Sequence, residues 1–298
     1  MTMLQNKIDF AVVLRVKRAN PNGDPLNGNR PRTDYDNYGE MTDVCNKRKI
    51  RDRLLERWVA EGKKEDDGNM IFVQSDDRKE DKYKSLRDRA EAGLGNKLGS
   101  DETVDLACKK WLDVRAFGQL FALKGKKKSK TGEENEGENK EEGDTGISIG
   151  IRGPVTVQSA FSITPVDIAS TQITKSVSGE ATKDGKRSSD TMGMKHRVEN
   201  GVYVFFGSMN PQLAKRTGFS DVDAEAIKQV LPRLFENDES SARPAGSMEI
   251  LKVIWWKHNC KAGQYSSAKV HRTLTVNPDD SIKLDTLDGL MPEVIDGF

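Results

Sequence analysis

Residues Lys7 to Lys17 alternate, with Ile8, Phe10, Val12, Leu14 and Val16 at every second position. A period of two places all five on one face of a β-strand, so the fold is built on a sheet that needs a layer packed against it. The stretch Val44 to Val59 supplies one. Val44, Ile50, Leu54, Leu55, Trp58 and Val59 recur at helical spacing behind Thr42, a residue suited to the N-cap. A chain of 298 residues can hold one large domain or two ordinary ones.

Further along, Thr103 to Trp111 reads as a short helix, and Ile147 to Ile163 as one or two strands interrupted at Gly153-Pro154. Val202 to Phe206 ("VYVFF") is a buried strand. Asp221 to Glu236 has helical spacing with Pro232 inside it as a kink. Met248 to Trp256 is another strand. Leu274–Val276 and Ile282–Leu284 form a closing hairpin around Asn277-Pro-Asp-Asp280. Strand, helix, strands, strand, helix, strand is compatible with the split βαβ of an α+β domain, ferredoxin-like or RNA-recognition-motif-like. The expectation is a single domain spanning 1–298. Long polar insertions project from it at about 62–110 and 168–200, and the domain's sheet is a possible nucleic-acid platform. Residues 124–146 hold almost no apolar side chains and are expected to form a mobile, disordered acidic loop.

Charge is uneven. Residues 1–130 carry 29 Lys/Arg against 22 Asp/Glu, a balance of +7. Residues 131–150 carry one against seven, and residues 151–298 carry 18 against 18. A basic first part is thus masked by one acidic segment. Cys45, Cys108 and Cys260 form no CxxC pair, and His196, His258 and His271 are dispersed, so neither a disulfide framework nor a zinc site is expected. No apolar run is long enough to span a membrane, and the start is polar within five residues, which makes a cytoplasmic location the default. No cofactor motif occurs.

Between the first strand and first helix lies NPNGDPLNGNRPRTDYDNYG, residues 20–39, with five Asn, three Gly and three Pro. Asn20, Asn22 and Asp24 have the 1, 3, 5 spacing of a calcium loop, but Pro25 and Pro31 stand where a glycine and the bidentate carboxylate belong, so no metal is assigned. Neither GxGxxG nor a P-loop is present. What remains is amides, glycine turns and guanidinium forks, groups that suit sugar and phosphate. Chemistry alone balances that reading against a long structural turn. The candidate RNA-binding set from this loop is Asn20, Asn22, Asn27, Asn29, Arg30 and Arg32. From the helix it adds Lys47, Arg48, Lys49, Arg51 and Arg53, several of them on one side at i,i+4 spacing, or else simply a solvated face. A third cluster, Met192, Met194, Lys195, His196 and Arg197, closes the second insertion with apolar wedges beside cations, or with methionines packed into the core.

Five segments in order, NPNGDPLNGNRPR, TDVCNKRKIRD, WLDVRAFGQLFA, GPVTVQSAFSITPVDI and TMGMKHRVENGVYVFF, resemble the backbone subunit of the type I-C CRISPR surveillance complex (Cascade), within the RAMP group of proteins. The resemblance covers essentially the whole chain. It implies a palm with finger (about 62–110) and thumb (168–200), several copies of the chain along one CRISPR guide RNA, pairing with a target DNA strand through the guide, and other Cascade subunits as partners. No catalytic residue is assigned. The competing readings are a metal-independent RNA endonuclease, with His196 as general acid or base beside Lys195 and Tyr203, and a stand-alone single-strand RNA-binding module.

Overall fold

A computed structural model describes residues 2–64, 67–123, 147–174 and 192–298. Strand β1 (Ile8–Ala19) leads into the loop, which carries the short paired strands β2 (Gly23–Asp24) and β3 (Arg30–Pro31). Strand β4 (Tyr38–Met41) and helix α1 (Asp43–Ala60) follow. The first insertion holds α2 (Leu86–Leu94) and α3 (Thr103–Lys110), and α4 (Leu112–Phe117) and the paired strands β5 (Gly118–Leu123) and β6 (Ile147–Arg152) follow it. Strands β7 (Val155–Val157) and β8 (Ala160–Pro165) precede β9 (Ile168–Thr174), which pairs with the long β10 (Met192–Met209). Helices α5 (Pro211–Thr217) and α6 (Asp221–Val230), strand β11 (Met248–Lys257), helix α7 (Ser267–His271), the hairpin of β12 (Leu274–Val276) and β13 (Ile282–Leu284), and β14 (Pro292–Asp296) complete the chain. The acidic loop expected at 124–146 lies outside the described residues, as does 175–191 of the second insertion.

The result is a mixed α/β fold around one antiparallel sheet in the order β14-β11-β1-β10-β8-β4, with β7 and β9 also paired to β10. The five alternating residues of β1 face α1 and α6 as expected, and Phe10, Val12, Leu14 and Val16 are fully buried against Ile50, Leu54, Leu55 and Ile227. Burial of each such side chain contributes roughly 1.5–3 kcal/mol. Thr42 caps α1 by accepting the Cys45 N–H at 3.3 Å.

The opposite face of β1 is buried as well. Ala11 and Val13 pack with Val202, Ile254, Trp256, Val270 and Leu274, because the C-terminal segment folds across this side of the sheet. That part of the sheet is therefore covered and is no open platform. Beneath the cover, Asp9 is fully buried and accepts from His258 Nε2 at 2.9 Å, with Lys7 Nζ at 3.1 Å. His258 Nδ1 accepts the Gln264 N–H, which places the ring proton on Nε2.

Three local expectations change. The helix ends at Val230 and continues as a 3-10 turn, Leu231–Arg233, because Pro232 has no N–H and disfavours helical geometry before it. The region 147–165 holds three strands rather than two. The first insertion also shares a small second core with α4, β5 and β6, with Phe72 at 4.7 Å from Trp111 and 5.3 Å from Phe121 between ring centres. Buried polar groups dock it. Asp113 accepts from Phe72 N, Val73 N and Arg51 Nε at 2.7, 3.0 and 3.0 Å, and Arg115 forks onto Asp223 at 3.0 and 2.7 Å.

Candidate nucleic-acid interface

The asparagines of the 20–39 loop divide by role. Asn20 is buried and donates from Nδ2 to the Asn29 carbonyl at 2.6 Å. Asn22 Oδ1 accepts from both Thr42 N and Thr42 Oγ1, at 3.0 and 3.1 Å, and so ties the loop to the start of α1. Gly28 and Asn29 have φ of 59° and 58°, the left-handed region that glycine and asparagine tolerate best. At Gly23 a Cβ would lie 2.0 Å from Asn29 Oδ1, so a larger residue there would displace the Asn29 side chain. Much of the loop's composition is thus structural. Asn27 is exposed, and Leu26 and Tyr35 stand fully out in solvent.

The ribbon of β9 and β10 rises beside this loop. Its register is regular from Met192↔Thr174 to Val198↔Ile168, so side chains alternate strictly. Met192, Met194 and His196 share one face with Ser170, while Lys195 and Arg197 share the other with Ile173. The cluster that adjoins in sequence is therefore split across two faces. Met192 and Met194 are 59% and 55% exposed, so they do not pack into the core. On their face Arg30 Nη1 donates to Ser170 Oγ at 3.1 Å, and Ser170 Oγ lies 2.8 Å from His196 Nδ1. Ser170 Oγ receives from Arg30, and its second lone pair and its proton let it either accept from or donate to His196 Nδ1, according to the ring tautomer. Arg32 lies 3.4 Å from Asp24. On the reverse face Arg197 Nε donates to Glu199 at 2.9 Å. Arg18, with φ of 55°, marks where β1 departs from regular strand geometry as it enters the loop.

The α1 cations do not form one exposed stripe. Lys49 and Arg53 are buried. Lys49 ends on Asp238, and Arg53 reaches Glu56 and, at 2.6 Å, the Glu236 carbonyl. Burial pulls the Lys49 ammonium below its usual range despite the adjacent carboxylate. Arg51 pairs with Asp113 and lies 5.0 Å from the Phe117 ring centre. Lys47 sits 2.8 Å from Asp43, and Arg48 is 3.4 Å from Asp52 and 3.7 Å from Asp77. Helix propensity placed these cations on α1, but distant acidic residues turned most of them inward.

Tyr203, offered as a partner acid–base group for His196, is fully buried, and burial pushes its hydroxyl well above the usual range. It is not available to a scissile phosphate. Ser170 was not singled out from the sequence. It is one small polar residue in a polar strand, and only register brings it to His196. Among the described residues no group of His, Cys, Asp and Glu gathers as a metal site, and no helix is long and apolar enough to cross a membrane.

Comparison with known proteins adds a family. Residues 6–288 match the family described as CRISPR-associated protein Cas7. A CRISPR-associated protein Cas7 of Haloferax volcanii is 26% identical over 302 residues, covering 99% of this chain and 82% of the relative. Among solved structures, a chain of a CRISPR RNA-guided surveillance complex in a pre-nicking state aligns at 15% identity with a TM-score of 0.44, covering 84% of this chain and 78% of that one. A chain of a type III-B Cmr-beta complex bound to cognate target RNA aligns at 10% identity with a TM-score of 0.39, covering 83% and 60%.

Proposed function

The chain belongs to the CRISPR-associated protein Cas7 family, and from that premise we propose that it is a non-catalytic backbone subunit of a type I-C surveillance complex, Cascade. Copies of it line up along one guide RNA, hold it by phosphate and ribose, and leave base edges free to pair with a target DNA strand. The observation that carries the reading is the surface where the loop meets the ribbon. Arg30, Ser170 and His196 form a connected set of donors beside two exposed methionines. Guides differ in sequence, so a scaffold gains from contacts that ignore base identity.

A ferredoxin-like palm is supported by the strand order β11-β1-β10-β8, antiparallel at each pairing, with α1 and α6 on one face. In this reading residues 62–110 contribute to the finger and 168–200 form the thumb. Met192, Met194 and His196 meet the guide, with the methionines as wedges between bases, while Lys195 and Arg197 turn towards the next copy. The exposed Leu26 and Tyr35 are suited to cover by a neighbouring copy. Lys49, Arg51 and Arg53 hold the palm together and leave the interface set.

The test is to express the chain with a guide RNA and image the product while titrating salt. Curved assemblies whose length follows the RNA, with affinity falling steeply in salt and varying little with sequence, are expected. Solitary protein on RNA, or cleavage of repeat RNA that His196→Ala abolishes, would replace this reading with one of its competitors.

A further inference from the structure

Met192 and Met194 stand on one face of the β9–β10 ribbon and are about equally exposed, yet their sulfurs differ. Gln172, directly opposite Met194 in the register, turns along the ribbon and donates from Nε2 to Met192 Sδ at 2.9 Å. No donor reaches the sulfur of Met194, Met3 or Met291 among the described residues, although all three side chains are exposed. A thioether sulfur is a weak acceptor with two lone pairs. In Met192 the amide occupies one of them, and the other stays open to solvent.

A solvent-open thioether is the form of methionine that hydroperoxides oxidise. Its lone pair attacks one peroxide oxygen, and the S–O bond forms as the O–O bond breaks. The proton on the transferred oxygen goes to the departing hydroxide. Hydrogen peroxide is thereby reduced to water, and the sulfur is oxidised by two electrons to a sulfoxide, which is chiral. Because Gln172 holds one lone pair, oxygen is added at the other, and one epimer results. We propose that Met192 is a stereoselective oxidation site for hydroperoxides, and that its sulfoxide switches off the wedge the ribbon offers to a guide. The new S=O is strongly polar, and a polar group pressed between bases without a partner is costly. Methionine sulfoxide reductases accept one epimer each, so a single class of reductase restores Met192. The site rests on the ribbon alone, whereas the effect on the guide rests on the function proposed above.

The full chain, treated with hydrogen peroxide and then with each class of reductase separately, tests the site by peptide mass spectrometry. Sulfoxide at Met192 should be removed almost entirely by one class and hardly by the other. Sulfoxide at Met194 and Met291 should be shared between the two. Gln172→Ala should bring Met192 to the same mixed pattern. For the switch, Met194→Leu leaves Met192 as the exposed methionine described on the ribbon. Peroxide should then lower guide RNA affinity about tenfold, against less than about twofold in Met192→Leu/Met194→Leu, each compared with its own untreated form. Equal removal of Met192 sulfoxide by both reductases, or a one-epimer pattern that Gln172→Ala leaves unchanged, would overturn the site. Unchanged affinity after oxidation of a Met194→Leu chain that binds guide RNA when untreated would overturn the switch. If the untreated native chain binds no guide RNA, the switch falls with the proposed function, and the epimer pattern still decides the site.

Discussion

Lys49 and Arg53 on α1 are 4% and 8% exposed and end on Asp238, Glu56 and Glu236, whereas Arg30 in the loop reaches the hydroxyl of Ser170 on an exposed ribbon. Both regions carry cations that the sequence offers for phosphate. One spends its charge on acidic partners inside the fold, and the other leaves donors facing solvent. A count of lysines and arginines cannot separate the two roles. What separates them is the distance to a carboxylate after folding, and the degree of burial that makes such a pair strong.

The sharpest test of this contrast is Asp238→Ala. It would leave Lys49 buried with its main partner gone, and removal of one member of a buried pair costs about 3–5 kcal/mol. Urea unfolding measures it. A loss below about 1 kcal/mol would mean that α1 keeps its cations wet, and the contrast with the loop would collapse. Asp113→Ala comes next. It strands the buried Phe72 N–H, the partly buried Val73 N–H and Arg51, for a loss of about 1–3 kcal/mol. Amide hydrogen exchange should show the first insertion loosening before the sheet does. Uniform loss of protection would indicate that the insertion is not a separate unit.

Asp9 extends the contrast to pH. Burial raises its carboxyl, but the His258 hydrogen bond, His271 3.6 Å away and the charge of Lys7 prevail and hold it well below its ordinary 3.8. A depressed carboxyl gives stability that is present above 3.8 and is lost as pH falls through the native value. The advantage of the native chain over Asp9→Asn should therefore shrink below pH 3.8, by about 1.4 kcal/mol per unit of depression. A difference that stays constant between pH 6 and 3 would refute the coupling. Smallest in stability is Arg30→Ala, expected within about 0.5 kcal/mol of the native chain. Its signature is functional. RNA affinity should fall at every sequence, and the salt dependence should become shallower by about one ion. Unchanged affinity would move the interface away from the loop.

Several elements were legible in advance because their cause is local. The period of β1, the Thr42 cap of α1, the strand at Met248–Lys257 and the hairpin around Asn277 to Asp280 each depend on residues a few positions apart. The candidate site was legible in part. The loop and the methionine-rich strand carry local signals, whereas the division of Met192, Met194 and His196 from Lys195 and Arg197 follows from the ribbon register with β9. Ser170 had no signal at all, since it joins Arg30 from 140 positions away.

The sequence by itself determined that this chain builds a sheet with a helix packed on it, follows its first strand with an amide-rich loop and carries no nucleotide-loop motif. Period, capping and turn chemistry act over a few residues, and side-chain types suffice to state them. The tertiary structure alone decided which cations are spent and which face solvent. Lys49 finds Asp238 across 189 positions and Arg51 finds Asp113 across 62. It also decided that the second face of β1 lies under the C-terminal segment. Ion pairing and burial depend on separation in space, and chain separation does not encode that until the core has formed.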